Sequence, residues 1–288
     1  MQITLGDFAP FHALDATPVK YKEKNDKVLR PVHPNAGLEA LYRKHLITLI
    51  DEMQASIDYW ATASYRRAPP EIAQDELSSA SMREAMRKLS RRWIGRFDEM
   101  AKELSVYFAK SVSNRTDAAL KKILGEAGFT IDWKLTQAQR DVLNAIVHEN
   151  VSLIRSIPRD HLQKVEGIVM RSVQAGHDLK QLSTDLREQF GVTKRRAKFI
   201  SNDQTKKATA MLSRTRYIEV GIEEAIWVHS GGGNHPRPTH VKAGRERVKF
   251  NVAEGWFDPH EGQKIFPGTL PNCRCVMRPV LRGITKGK

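Results

Sequence analysis

The feature that most constrains this chain is a change of period. From Asn35 to about Val220 apolar residues recur mostly at spacings of three and four, whereas from Gly221 onward they fall in short runs broken by Gly and Pro. The first pattern lays an apolar stripe along helices; the second reads as strands and loops. The expected fold class is α+β, a predominantly helical body followed by a small C-terminal module of short strands and loops. No stretch repeats at a fixed period, which argues against a solenoid.

Within the body, Leu38, Leu41, Leu46, Ile47, Ile50, Met53 and Ile57 predict one long helix, broken between Arg66 and Ile72 by Pro69-Pro70. Ser81-Met82-Arg83-Glu84 reads as a capping box opening a second long helix through Met86, Leu89, Trp93, Phe97, Met100, Leu104 and Phe108. A shorter helix is expected from Asp117 to Gly128, and Thr136-Gln137-Ala138-Gln139 is a second capping-box pattern. Pro158 is expected to interrupt the helix that follows, with another running from Leu162 to Gly176. A compact helix from Leu179 is expected to close at Gly191, and Thr193 to cap the last one, which ends near Val220. Ile226-Trp227-Val228-His229 then reads as a strand and Ser230-Gly231-Gly232-Gly233-Asn234 as a flexible loop.

Residues 1–34 carry Pro10, Pro18, Pro31, Pro34 and a charged run from Lys20 to Lys27 without a sustained period. They are read as an extended or mobile N-terminal arm. The resulting division is 1–34 arm, 35–221 helical body and 222–288 small α+β module.

The 288 residues carry a formal net charge of +14, so an acidic partner is expected, with nucleic acid the commonest. Lys194, Arg195, Arg196 and Lys198 cluster near an expected helix start. With Arg237, Lys242, Arg245, Arg278 and Arg282, and with Lys286 and Lys288 in the tail, they are the candidate phosphate contacts. A solvated basic surface, or a basic face docked on an acidic protein, is the bland reading of the same charges. No run approaches the ~20 apolar residues that span a bilayer, and the first residues lack a charged start followed by an apolar run. Neither a membrane span nor a signal peptide is expected.

Cys273 and Cys275, the two cysteines, are too close in sequence for an unstrained disulfide and fit a reducing compartment. Two thiolates one residue apart can face one metal ion, and imidazole is the usual companion. Cys273, Cys275 and His240 are therefore candidates for three positions of a structural zinc site, the fourth falling to His235, Asp258 or His260. Two buried free thiols beside the Pro267-Gly268 turn would look the same in sequence. His229, His235 and His240, with Arg237 and Lys242, could alternatively perform acid–base cleavage of RNA, which would make the chain a nuclease or toxin-like effector. Trp227 and Trp256 flank the loop as stacking candidates, although core aromatics are commoner in so small a module. The triple glycine lacks the Gly-Lys-Ser/Thr of a phosphate loop, and there is no His-Glu-x-x-His and no dinucleotide fingerprint. Those absences favour a structural protein over an enzyme.

Between about Val151 and Leu281 the elements come in a distinctive order. Leu153-Ile154-Arg155-Ser156-Ile157-Pro158 leads, then Phe190-Gly191-Val192-Thr193 with Arg196-Ala197, then Asp203-Gln204-Thr205. Arg216, Gly221 and Trp227 follow, then Pro236-Arg237-Pro238-Thr239-His240, Pro267-Gly268, and Asn272-Cys273-Arg274-Cys275 with Pro279. This set resembles the C-terminal half of the Mu F-type minor head proteins of tailed phages. The resemblance implies a minor capsid, head-morphogenesis protein present in few copies in the virion. It implies association with the portal protein and packaged double-stranded DNA in the head interior, with the major capsid or scaffold protein as further partners, and no established catalysis. Assembly would take place in the host cytoplasm. The chain departs from the family pattern at Gly233-Asn234-His235-Pro236-Arg237, where relatives carry an Asp-x-Arg-x-Arg stretch, and at Ser201-Asn202-Asp203-Gln204. The first departure removes an aspartate that would otherwise be a candidate ligand or base.

Overall fold

The computed structural model of the chain describes residues 26–67, 76–175, 179–232 and 235–282. The fold is α+β. Four long helices, α1 (Ala36–Arg67), α2 (Glu76–Glu126), α3 (Gln137–Gln174) and α4 (Leu179–Glu219), pack around one apolar core. Leu46, Ile50, Met53 and Ile57 of α1 meet Trp93, Phe97 and Phe108 of α2, Ile154, Ile157 and Leu162 of α3, and Ile200 and Leu212 of α4. The α1 and α2 residues among them are those whose spacing predicts the helices, and every residue of the set is at most 2% exposed.

Where helices start and stop differs from expectation. Ser81 lies within α2 and does not cap it, and the segment from Asp117 continues the same helix to Glu126. Pro158 and its buried neighbours Ile157 and His161 lie inside an unbroken α3. Gly191 and Thr193 lie inside an unbroken α4, where the Thr193 hydroxyl bonds back to the Gln189 carbonyl. The physical reason is scale. A cap is worth ~1 kcal/mol and an interior proline costs ~3 kcal/mol, whereas each fully buried Leu or Ile contributes ~1.5–3 kcal/mol, and several are buried along each of these helices. The Thr136 cap is present, with its hydroxyl accepting from Gln139 N at 3.2 Å, but the Gln139 side chain reaches towards the Leu212 carbonyl instead of completing a box. Gly128 and Gly221 do end helices. Both have left-handed φ, 98° and 75°, and the following amides bond back to Leu124 O and Tyr217 O, a closure that favours glycine. The Pro69-Pro70 break, Gly176 and the tail lysines lie outside the described residues.

A polar string runs through the helical core. Tyr42 donates to Asn150 Oδ1 at 2.7 Å, Asn150 to Gln204 Oε1 at 3.0 Å, and Gln204 to Glu149, which also holds Lys207 at 2.7 Å. It links α1, α3 and α4 with buried polar groups satisfied, as a helical core requires.

The module is a four-stranded antiparallel sheet of order β1-β6-β2-β3, built from β1 (Lys27–Val28), β2 (Glu224–Val228), β3 (Lys249–Asn251) and β6 (Val276–Leu281). The short helix α5 (Pro238–Arg245) and a hairpin of β4 (Trp256–Asp258) and β5 (Gln263–Ile265) complete it. Here the arm reading needs correcting for its last residues. Lys27 and Val28 pair with Leu281 and Val280, and Leu29 and Val32 are buried, so the sequence ahead of the helices closes the edge of a sheet otherwise made at the other end of the chain. Non-local pairing leaves no local signal. Residues 1–25 of that arm lie outside the described residues.

The module has its own core of Trp227, Phe250, Val252, Ile265, Met277 and Tyr217, and it rests on Leu120, Ile123 and Leu124 at the end of α2. Arg216, 3% exposed, locks this junction. It makes a two-pronged bond to Asp117 at 2.8 Å on each prong, reaches Glu219 and the Lys134 carbonyl, and stacks over Trp133. Burial works against its charge, but the bonds to Asp117 and Glu219 outweigh that and raise its pKa.

Candidate metal centre

The register of β2 on β6 builds the site. Pairing Trp227 with Met277 and Val228 with Val276 sets the chain leaving β2, at His229 and Ser230, beside the turn that enters β6 at Cys273-Arg274-Cys275. Helix α5 then lies directly on the end of β2. A Cβ on Gly244 would sit 2.4 Å from His229 Cβ, so only glycine lets this helix approach. Pro238 in its first turn suits a helix start. His240 thereby faces the two sulfurs.

His240, Cys273 and Cys275 are all buried, and their ligating atoms lie within 4.8 Å of one another. His240 Nδ1 is 3.5 Å from Cys273 Sγ and 3.8 Å from Cys275 Sγ. On the far side of the ring, Nε2 lies 3.3 Å from Oδ2 of the fully buried Asp258, a close polar contact that falls short of hydrogen-bond geometry. Asp258 is itself fixed by the Thr239 hydroxyl at 3.1 Å and the His260 amide at 2.9 Å. Trp227 packs edge-on against the imidazole at 4.9 Å.

The cysteine turn is held from two sides. The Gly268 amide donates to Cys273 Sγ at 3.3 Å, and Asn272, at a left-handed φ of 61°, donates its amide to Asp203 of α4 at 2.6 Å. Burial raises the Asp203 pKa against the lowering effect of that amide. The two thiols are unequal. Cys273 is pulled down by the hydrogen bond from Cys275 against burial, with help from His240 and the Gly268 amide; Cys275 is pushed up by Cys273 and by burial.

The triad opens on a cleft of about 360 Å³ that is also lined by His229, His235, Arg237 and Arg274. Of the four expected ligand positions, three come together. Asp258 and His260 do not supply the fourth, because Asp258 stands behind the imidazole and the His260 side chain is 71% exposed beside Glu261. His235 lines the cleft. The three-histidine cluster is divided in its roles. His240 is committed to sulfur and carboxylate, and His229 Nδ1 accepts from the Gly231 amide. Trp227 is core, with Trp256 packed against it at 5.1 Å.

The nine candidate cationic contacts separate in the same way. Lys194 pairs with Asp51, Arg196 with Asp160, Arg237 with Glu261 and Arg282 with Glu224, while Arg278 donates to the Leu29 carbonyl. Arg195, Lys198, Lys242 and Arg245 are exposed and have no ion-pair partner among the described residues. The orienting roles of Asp258, Thr239, Gly268 and Asp203 are not predicted from sequence; the one hint is that Asp203, Thr239 and Gly268 fall in the ordered set of resembling residues.

Residues 163–278 match the family model described as phage Mu protein F like protein. That stretch runs from the middle of α3 to β6 and contains His240, Cys273 and Cys275. The C-terminal part of the chain is thus similar to the phage Mu protein F-like family. An uncharacterized protein of Haemophilus influenzae is 34% identical over 139 residues, covering 48% of this chain. The match spans 29% of that relative's length. No solved structure matches. Among the described residues no helix is long and apolar enough to cross a membrane.

Proposed function

We propose that the chain is a minor capsid protein acting in head morphogenesis of a tailed phage, bound to the portal and to packaged DNA inside the head. The observation that carries this reading is the family match over residues 163–278, which takes in the whole of α4 and the strands and helix that build the cysteine–histidine centre. The similarity to that family supports the role in the head. The portal, the DNA and the interior location are the finer part of the proposal.

The DNA part rests on charge. A net +14 with exposed Arg195 and Lys198 on α4, and Lys242 and Arg245 on α5, suits phosphates without sequence-specific reading. The roles open to His240 do not favour acid–base cleavage, since both of its ring nitrogens face protein groups. Quantitative mass spectrometry of purified virions and proheads tests the reading. A few copies per particle relative to the major capsid protein is the expected result, and absence from both particles would overturn it.

A further inference from the structure

We propose that His240 Nδ1, Cys273 Sγ and Cys275 Sγ bind a zinc ion, with a fourth coordination position facing the cleft lined by His229 and His235. The proposal is independent of where the chain sits in the phage head.

The first support is the spacing of the donors. Zinc takes Cys sulfur at ~2.3 Å and His nitrogen at ~2.0–2.1 Å in a tetrahedron, so the nitrogen-to-sulfur edges of such a site are ~3.6 Å long. The edges here are 3.5 and 3.8 Å. The second is the number of donors at one nitrogen. His240 turns Nδ1 to the sulfurs and Nε2 to the Asp258 carboxylate. A single ring nitrogen makes one hydrogen bond, yet two sulfurs lie against it; a cation is shared by all three donors.

The surroundings match what a metal site needs outside its ligands. Asp258 stands behind His240, 3.3 Å from Nε2, the place where metal-ligating histidines keep a carboxylate. The Gly268 amide donates to Cys273 Sγ at 3.3 Å and holds that sulfur in place. Donor chemistry selects the ion, since two thiolates and one imidazole suit zinc and disfavour magnesium or calcium. The ligands join α5 to the start of β6, two elements of a module whose strands are two to six residues long. Metal closure stabilises such small folds.

The test uses the full chain, made without a histidine tag and purified without chelator. Elemental analysis is expected to give about one zinc per chain; under about half an equivalent, with melting unchanged by chelation, overturns the proposal. Zinc bound loosely to surface histidines is separated by cobalt(II) added to the metal-stripped chain. Intense visible bands of tetrahedral cobalt with a near-ultraviolet sulfur charge-transfer band are expected, and both should vanish in Cys273→Ser and Cys275→Ser chains that keep their far-ultraviolet helical signal. A weak octahedral spectrum, or one unchanged by either substitution, overturns the site. Should the serine chains fail to fold, Asp258→Asn supplies the second variant: metal affinity should fall about 10–100-fold with the cobalt spectrum retained. Affinity equal to the parent's would remove the orienting role of Asp258.

Discussion

The helical body and the C-terminal module are held together by different means. In the body, stripes of Leu, Ile and Phe on helices of 32 to 51 residues meet along their length, and the polar string through Asn150 and Gln204 is an addition to that core. In the module the strands are short and the apolar core is small. Its geometry depends on single polar anchors: Arg216 beneath it, Asp203 on the cysteine turn, and Asp258 behind His240. A distributed core tolerates losses at one point, whereas anchored geometry fails at particular residues. The expected effects of substitution differ accordingly.

The largest expected effect is at the junction. Arg216→Met leaves Asp117 and Glu219 with uncompensated, partly buried charge and removes the stacking on Trp133. Breaking a buried pair from one side costs about 3–5 kcal/mol. Denaturant unfolding should show that loss, with the module melting ahead of the helices; a shift below about 1 kcal/mol would mean that the apolar contact with α2 holds the module without it.

In the body, the matching test is one of pH. His161 is buried, holds Thr193 at 2.8 Å and has its pKa lowered to about 4, first by burial and then by Lys164. A base whose folded pKa is depressed contributes stability that is complete above its unfolded value near 6.5 and is lost as pH falls through about 4. The shift corresponds to roughly 3 kcal/mol. Unfolding free energy should therefore fall between pH 7 and 4, and His161→Gln should flatten that part of the profile. An unchanged profile in the variant would refute the assignment.

A smaller effect is expected where the module's packing is tightest. Gly244→Ala drives a methyl into His229 and must push α5 off β2. Overpacking costs about 1–3 kcal/mol, and because His240 rides on α5, metal affinity should fall with stability. Stability lost with metal affinity intact would separate helix position from site geometry.

The same contrast governs what sequence could disclose. Apolar spacing identifies Leu46 to Ile57 and Trp93 to Phe108 as core because each residue repeats its neighbours' message. The punctuation at Ser81, Pro158 and Thr193 misleads, since its local preferences are smaller than the burial that overrides them. In the module, Cys273, Cys275 and His240 are legible as candidate ligands, while the same two cysteines also read as buried thiols beside the Pro267-Gly268 turn. Asp258 is legible only as a carboxylate near the site; which ring nitrogen it faces depends on the β4–β5 hairpin. The edge strand Lys27–Val28 is illegible, because its partner lies some 250 residues away.

The smallest effect on stability, and the sharpest on function, concerns the exposed cations. Arg195 and Lys198 share one face of α4 and lie clear of ion pairs among the described residues, unlike Lys194 and Arg196, whose charges are met by Asp51 and Asp160. Surface substitutions of this kind change stability by no more than about 0.5 kcal/mol. If the face contacts DNA, each lost phosphate contact lowers the slope of log affinity against log salt by about one, uniformly across sequences. Fluorescence anisotropy on duplex DNA should thus show Arg195→Ala/Lys198→Ala with a slope reduced by about two, and Lys194→Ala with a smaller change. Equal losses from both would mean that the internal pairs open on binding. No binding by the parent chain at low salt would leave the basic surface without a nucleic-acid role and place the module's contribution in protein contacts alone.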